Sequence, residues 1–188
     1  MQAGTIDVKA GGQAPLPSNI HILCHLIRWA AVAWIAWAIA LVFLQWNDRQ
    51  TITHNWGRML GADLSKMPDS HYLAATGVVM ADVAIAAVIV VFVWRLFGHY
   101  LNGRIFTRDA VGEMRHVGCA GLVAVAADIL ARPALAALFT LHLEDSPSLK
   151  VWGQPNDALH LLMAAFIMVV AHIFKAGVEL AEDNRQII

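Results

Sequence analysis

The chain has 188 residues, of which 59% are hydrophobic and 14% are charged, and its formal net charge is −1. A soluble domain has about 45–50% apolar and about 25% charged residues, so this composition excludes an ordinary soluble domain and indicates a membrane protein. The sequence also has no long basic or acidic run, which argues against direct binding to nucleic acid.

The first part of the chain, residues 1–20, is polar and contains three glycines and two prolines. We expect a flexible N-terminal tail rather than a signal peptide. A signal peptide has a basic start and a short apolar stretch that ends in a small-residue cleavage site. Residues 21–188 are then predicted to form one membrane domain.

Four long apolar runs follow the tail, and each has the length that a membrane span needs. A helix crosses the hydrocarbon core with about 20 largely apolar residues and satisfies its own backbone hydrogen bonds there. We therefore predict an all-α membrane protein, a bundle of four transmembrane helices. The predicted spans lie at about 22–46, 72–97, 115–142 and 157–181.

The distribution of Lys and Arg predicts the orientation, since cytoplasmic connections are enriched in these residues. The last connection contains Lys150 alone, whereas the second carries Arg95, Arg104, Arg108 and Arg115. Placing the second connection in the cytoplasm puts both termini there as well. The first connection disagrees with this assignment, because it also carries Arg49, Arg58 and Lys66.

Three charged residues interrupt the apolar runs. Asp82 lies in the second span, and Asp128 and Arg132 lie one helical turn apart in the third. A charge at the bilayer centre costs about 2.5–3.5 kcal/mol on insertion scales, so such residues normally face the bundle interior and pair. We expect an intramembrane charge cluster of Asp82, Asp128 and Arg132 that joins these two spans. Its role is open between a structural link, a path for ions or a polar ligand, and a contact to another subunit.

The second connection also contains local signals. Asn102-Gly103 predicts a turn, and Thr107 followed by Asp109 is typical of a helix N-cap with a favourable first-turn charge. The third helix is therefore predicted to begin near Arg108, before its apolar run, and the fourth to continue beyond its own.

Two short stretches are the most distinctive parts of the sequence. One is Gly103-Arg104-Ile105-Phe106-Thr107, followed by Arg115 and Gly118, and the other runs from Ile173 to Asn184. Both resemble the bacterial family described as domain of unknown function 2975, and the likeness covers the chain from the first span to Asn184. Residues 185–188 differ from the apolar ending that is more usual in this family. The resemblance implies a four-span protein of the bacterial inner membrane and supplies no catalytic residues.

The resemblance also implies a regulatory partner, because members of this family often stand beside small helix-turn-helix regulators. The family-like residues lie toward the predicted cytoplasmic face. We expect them to bind such a regulator or another membrane subunit. The candidate partner-binding residues are Arg104, Phe106, Thr107, Arg115, Phe174, Glu182 and Asn184.

Histidines and cysteines near the same face are the remaining candidates for a site, since imidazole and thiolate bind zinc, copper and haem iron. Their spacing matches no metal or haem motif, and no cofactor is predicted. The residues that a metal or haem would use are Cys24, His25, His116, Cys119 and His172.

No catalytic motif or nucleophile–base pair can be placed, so the sequence does not predict an enzyme. The first hypothesis is a regulatory or accessory protein that acts through a partner. The alternatives are a small transporter or channel subunit that uses the intramembrane charges, and a haem- or metal-binding subunit. Each is compatible with an oligomer in the lipid bilayer.

Overall fold

The computed structural model describes residues 18–143 and 154–186, in which all regular structure is helical. The helices of these residues are α1 (Ser18–Trp46), α2 (Arg49–Leu60), α3 (Asp69–Leu101), α4 (Arg108–Thr140) and α5 (Pro155–Gln186). All except α2 are long and apolar enough to cross a membrane. The predicted four-helix membrane fold is therefore confirmed, and its orientation stays a prediction. Most of the predicted tail, residues 1–17, lies outside the described residues.

The long helices pack in chain order: α1 on α3, α3 on α4, and α4 on α5. Short connections favour this arrangement, because they place consecutive helices side by side and antiparallel. The central pair is thus α3 and α4, and α1 and α5 flank it.

Glycines on α4 allow the close approach of α5. A Cβ atom at Gly118 would lie 2.7 Å from Cγ of Met168, and one at Gly121 would lie 3.2 Å from Cβ of Ala164. Small residues play this part in membrane bundles because lipid supplies little hydrophobic force between helices, so that packing contacts hold the helices together. The α4–α5 contact therefore depends on the absence of side chains at these positions.

The local signals between α3 and α4 are confirmed. Gly103 has a φ of 72° in the turn after α3, a conformation that glycine adopts without steric cost. The hydroxyl of Thr107 accepts a hydrogen bond from the backbone N–H of Ala110 at 3.3 Å and caps α4, which begins at Arg108. The caps thus define where each helix of the central pair ends or begins.

The first connection contains a short helix, α2, that was not predicted from the sequence. Asp48 caps this helix by accepting a hydrogen bond from the backbone N–H of Gln50 at 3.0 Å, and Gly61 ends it with a φ of 71°. The apolar face of α2 packs on the ends of α3 and α4, and Trp56 lies over Phe139 with 4.8 Å between ring centroids. The connection is therefore a folded cap.

The buried core of the protein is concentrated beneath α2. Phe139 is fully buried there, and the hydroxyl of Tyr72 donates a hydrogen bond to the carbonyl of Trp46 at 2.6 Å. Elsewhere the long helices expose large apolar side chains such as Trp37, Phe43 and Leu162, as a lipid-facing surface requires. The core residues under the cap are Ile52, Leu60, Leu64, Met67, Ala75, Leu135, Ala136 and Phe139.

Candidate functional site

The two ends of the bundle differ in chemistry. We call the end covered by α2 the capped end. The opposite end, where α1 and α4 begin and α3 and α5 finish, we call the basic end. Its basic residues include Arg28, Arg95, Arg104, Arg108, Arg115 and Lys175.

The two family-like stretches meet at the basic end. Phe106, just before α4, contacts Phe174 of α5 edge to face, with 5.7 Å between ring centroids. The Phe106 side chain nevertheless remains 69% exposed. Two of the candidate partner-binding residues therefore form one aromatic surface, although they lie far apart in the sequence.

The other candidate partner-binding residues have different positions. Thr107 serves as the cap of α4, and Arg104 is exposed in the turn before it. Arg115 lines a groove beside α5. Helix α5 reaches Glu182 and Asn184, but their side chains lie outside the described part of the chain.

The groove beside Arg115 lies between α4 and α5 and has a volume of about 460 Å³. Lys175 forms an ion pair with Glu179 at 3.6 Å, and Nδ1 of His172 lies 2.8 Å from the carbonyl oxygen of Met168. Arg115 and Lys175 bring two positive charges to this groove, and Glu179 brings one negative charge. The lining residues are Arg108, Val111, Gly112, Arg115, Ala171, His172, Lys175, Val178 and Glu179. We call this the basic groove.

Buried charge also links the central helices at the basic end. Nε of Arg95 on α3 lies 3.1 Å from Oε1 of Glu113 on α4, whose side chain is buried. On α1, the guanidinium of Arg28 stacks over the ring of Trp94 at 3.8 Å. Sequence reasoning missed both contacts. The available signal for the first was a glutamate on a helix long enough to cross the membrane, since a buried charge needs a partner.

The predicted intramembrane cluster has a different partner from the one expected. Arg132 pairs with Asp128, as predicted, and it also donates two hydrogen bonds of 2.7 Å to the carboxylate of Asp157. This pair of hydrogen bonds joins α4 to α5, whereas the predicted link ran from α4 to α3. Asp157 was not included in the predicted cluster, because it lies at the very start of the fourth span, in the first turn of α5.

Asp82 lies beside this cluster on α3. The charges of Asp128 and Arg132 act on it, yet within residues 18–143 and 154–186 it makes no hydrogen bond or ion pair. Asp82 and Asp128 line both a groove of about 430 Å³ bordered by all four long helices and a cavity of about 340 Å³ beneath α2. The larger groove also contains Trp34 and His160. A surplus carboxylate thus faces two cavities.

The histidine and cysteine candidates are spread over three helices. Cys24 is buried in α1, whereas Cys119 on α4 is exposed, with its Sγ atom 3.7 Å from Sδ of Met168 on α5. His25 stacks near His21, and His116 lies beside Glu113. Among the described residues, no three His, Cys, Asp or Glu side chains are placed to share a metal ion.

Comparison with known proteins identifies the family. A family model described as "Protein of unknown function (DUF2975)" matches residues 59–188. The match covers α3, α4 and α5 and leaves α1 outside, so it is narrower at its start than the likeness expected from the sequence. No curated protein and no solved structure matches the chain. The chain belongs to the family of proteins of unknown function DUF2975.

Proposed function

We propose that this chain is a non-enzymatic regulatory or accessory protein of the bacterial inner membrane, and that it acts by binding a protein partner at its basic end. The observation that carries the proposal is the contact between Phe106 and Phe174. It gathers the two family-like stretches into one surface. The positive charge of this end supports a cytoplasmic location, where a regulator would meet it.

The position of Phe106 favours a protein partner over lipid. It lies between α3 and α4, outside the candidate membrane spans, and most of its ring is exposed. Aromatic residues with charged neighbours are typical of the centres of protein interfaces, where a few such side chains supply most of the binding energy. Arg104, two residues earlier, provides a charge at the edge of this surface.

The test is co-expression of the chain with the product of the neighbouring reading frame, followed by purification of the complex. Phe106→Ala is expected to lower recovery of the partner. The matched control is Phe43→Ala, which removes a similarly exposed ring from α1 within a candidate span. Equal recovery of the partner with the unaltered chain, Phe106→Ala and Phe43→Ala would contradict the proposal.

A second candidate function is an ion path that uses Asp82 and Asp128. The unpaired carboxylate of Asp82 favours it, because a surplus charge beside two cavities attracts a cation or a proton. Purified protein in liposomes should then conduct an ion or solute, and Asp82→Asn should abolish the flux. Asp109→Asn, at an exposed position in the first turn of α4, is the control. Absence of flux with the unaltered chain would exclude this function.

A further inference from the structure

The basic groove between α4 and α5 has features that a protein partner does not require. It is a concave site of about 460 Å³ whose apolar walls include Val111, Ala171 and Val178. Its polar groups come from both helices. Arg115 makes no hydrogen bond or ion pair within the described ranges, so all its guanidinium donors are available to a ligand.

From the lengths of the helices that line it, we expect the groove to lie at the depth of the bilayer surface. Helix α4 has 33 residues, and at 1.5 Å per residue it is about 50 Å long, whereas the hydrocarbon core is about 30 Å thick. Both ends of α4 must therefore reach the headgroup layers or the water beyond them. Arg115 lies two turns from the start of α4, and Lys175 lies near the end of the span in α5. Their charged groups are thus expected at headgroup level.

We propose that the basic groove binds the phosphate of an anionic phospholipid headgroup. A guanidinium recognises phosphate through two parallel hydrogen bonds, and an ammonium adds a point charge. Arg115 and Lys175 supply these two groups from neighbouring helices. Basic pockets between membrane helices bind anionic headgroups by this chemistry.

Glu179 makes the proposal specific. Its carboxylate pairs with Lys175 at 3.6 Å and repels a phosphate in the groove. Replacing Glu179 by Gln should therefore strengthen the binding of an anionic lipid. A zwitterionic lipid would use the same carboxylate to hold its ammonium group, so the substitution would weaken the binding of that lipid.

The experiment measures lipid binding to the full chain in detergent by native mass spectrometry, with phosphatidylglycerol, cardiolipin or phosphatidylcholine added. The double variant Arg115→Gln, Lys175→Gln is expected to bind the two anionic lipids about 30-fold more weakly, which corresponds to about 1 kcal/mol for each basic residue. Arg58→Gln, at an exposed position on α2, is the control and should leave the affinity unchanged. Circular dichroism verifies that each variant is folded.

Several outcomes would overturn the proposal. These are equal affinity of the double variant and the unaltered chain, equal binding of phosphatidylcholine, or weaker anionic-lipid binding in Glu179→Gln. Displacement of the lipid by inorganic phosphate would assign the groove to a soluble phosphate compound and overturn the lipid assignment. Glu179→Gln retains both basic residues, so it tests the proposal even where the double variant does not fold.

Lipid binding and partner binding can be separated. Phe106→Ala leaves the basic groove intact, so it should reduce partner recovery without changing lipid affinity. Glu179→Gln retains Arg115, a candidate partner-binding residue, so it should raise the affinity for anionic lipid without changing partner recovery. Failure of one proposal is therefore distinguishable from failure of the other.

Discussion

Two phenylalanines at opposite ends of the bundle show how differently the two ends are built. Phe139 at the capped end is fully buried under α2, whereas Phe106 at the basic end is 69% exposed. Around Phe139, apolar side chains of α2, α3 and α4 form the core. Phe106 lies in the turn before α4, where its exposed ring contacts only Phe174, edge to face, among the described aromatic rings. Apolar packing holds the helices together at the capped end, whereas the basic end leaves an aromatic ring and charged side chains exposed.

Because the two ends differ in this way, substitutions at each end should affect the stability of the protein to different extents. Substitutions at the capped end should lower the free energy of unfolding, and substitutions on the exposed surface of the basic end should leave it nearly unchanged. Substitution of Arg132 should have an intermediate effect on the free energy of unfolding, because its contacts join helices through charge rather than through apolar packing.

The largest expected effect is that of Phe139→Ala. Removal of a buried Phe side chain typically costs about 3–5 kcal/mol of stability, since the lost burial is accompanied by a cavity. Phe106→Ala removes the same atoms from an exposed site and should cost much less. Thermal unfolding in detergent, followed by circular dichroism, measures both. Equal decreases in melting temperature would mean that the two ends do not differ in this way.

Arg132→Gln is expected to have the next largest effect. It removes the two hydrogen bonds to Asp157 and the ion pair with Asp128, and hydrogen bonds to charged groups are worth about 1.5–3 kcal/mol. The measurement is again the unfolding free energy in detergent.

Asp82→Asn is the matched control for Arg132→Gln. Asp82 has no hydrogen bond or ion pair in the described ranges, so its substitution should not destabilise the protein. If both variants lost similar stability, the sequence-predicted link from Asp82 to Arg132 would be the correct one, and the link from α4 to α5 would be secondary.

The sequence predicted those features that each helix determines by itself. The four spans followed from the length and apolar character of each run, and the start of α4 followed from Thr107 within a few residues. Such signals are local, because a helix in lipid must satisfy its own backbone and a cap acts on the next turn. The pair of Asp128 and Arg132 was predictable for the same reason, since four residues separate them on one helix.

Contacts between helices were not predictable, because they depend on how each helix is rotated about its axis. Asp157 could have pointed away from Arg132, and the sequence alone does not fix that angle. The contact of Arg95 with Glu113 was unpredictable for the same reason.

Helix α2 was missed for another reason. It is short and only partly apolar, and its remaining signals were Asp48 at its start and Gly61 at its end.

The smallest expected effect is a dependence of local stability on pH, confined to the capped end. The hydrogen bond from the Thr51 hydroxyl to the carboxylate of Asp48 lowers the pKa of that carboxyl, and the backbone N–H of Ser65 does the same for the pKa of Asp63. A carboxyl group whose pKa is lowered by folding stabilises the folded state above its unfolded pKa, where it is charged in both states. This contribution should decrease as the pH falls below the ordinary aspartate value of 3.8 toward the lower pKa of the folded state.

Hydrogen exchange at the backbone N–H groups of Gln50 and Thr51, which Asp48 caps, can measure this effect. Protection relative to the intrinsic exchange rate should fall on acidification across this range. Asp48→Asn retains an N-cap acceptor without a titrating charge, so the same protection should then be insensitive to pH. Amides near Thr107, where the cap is a hydroxyl, provide an internal control at the basic end. An equal loss of protection there would show that acid loosens the whole bundle, and that the capped end owes no separate stability to its charged cap.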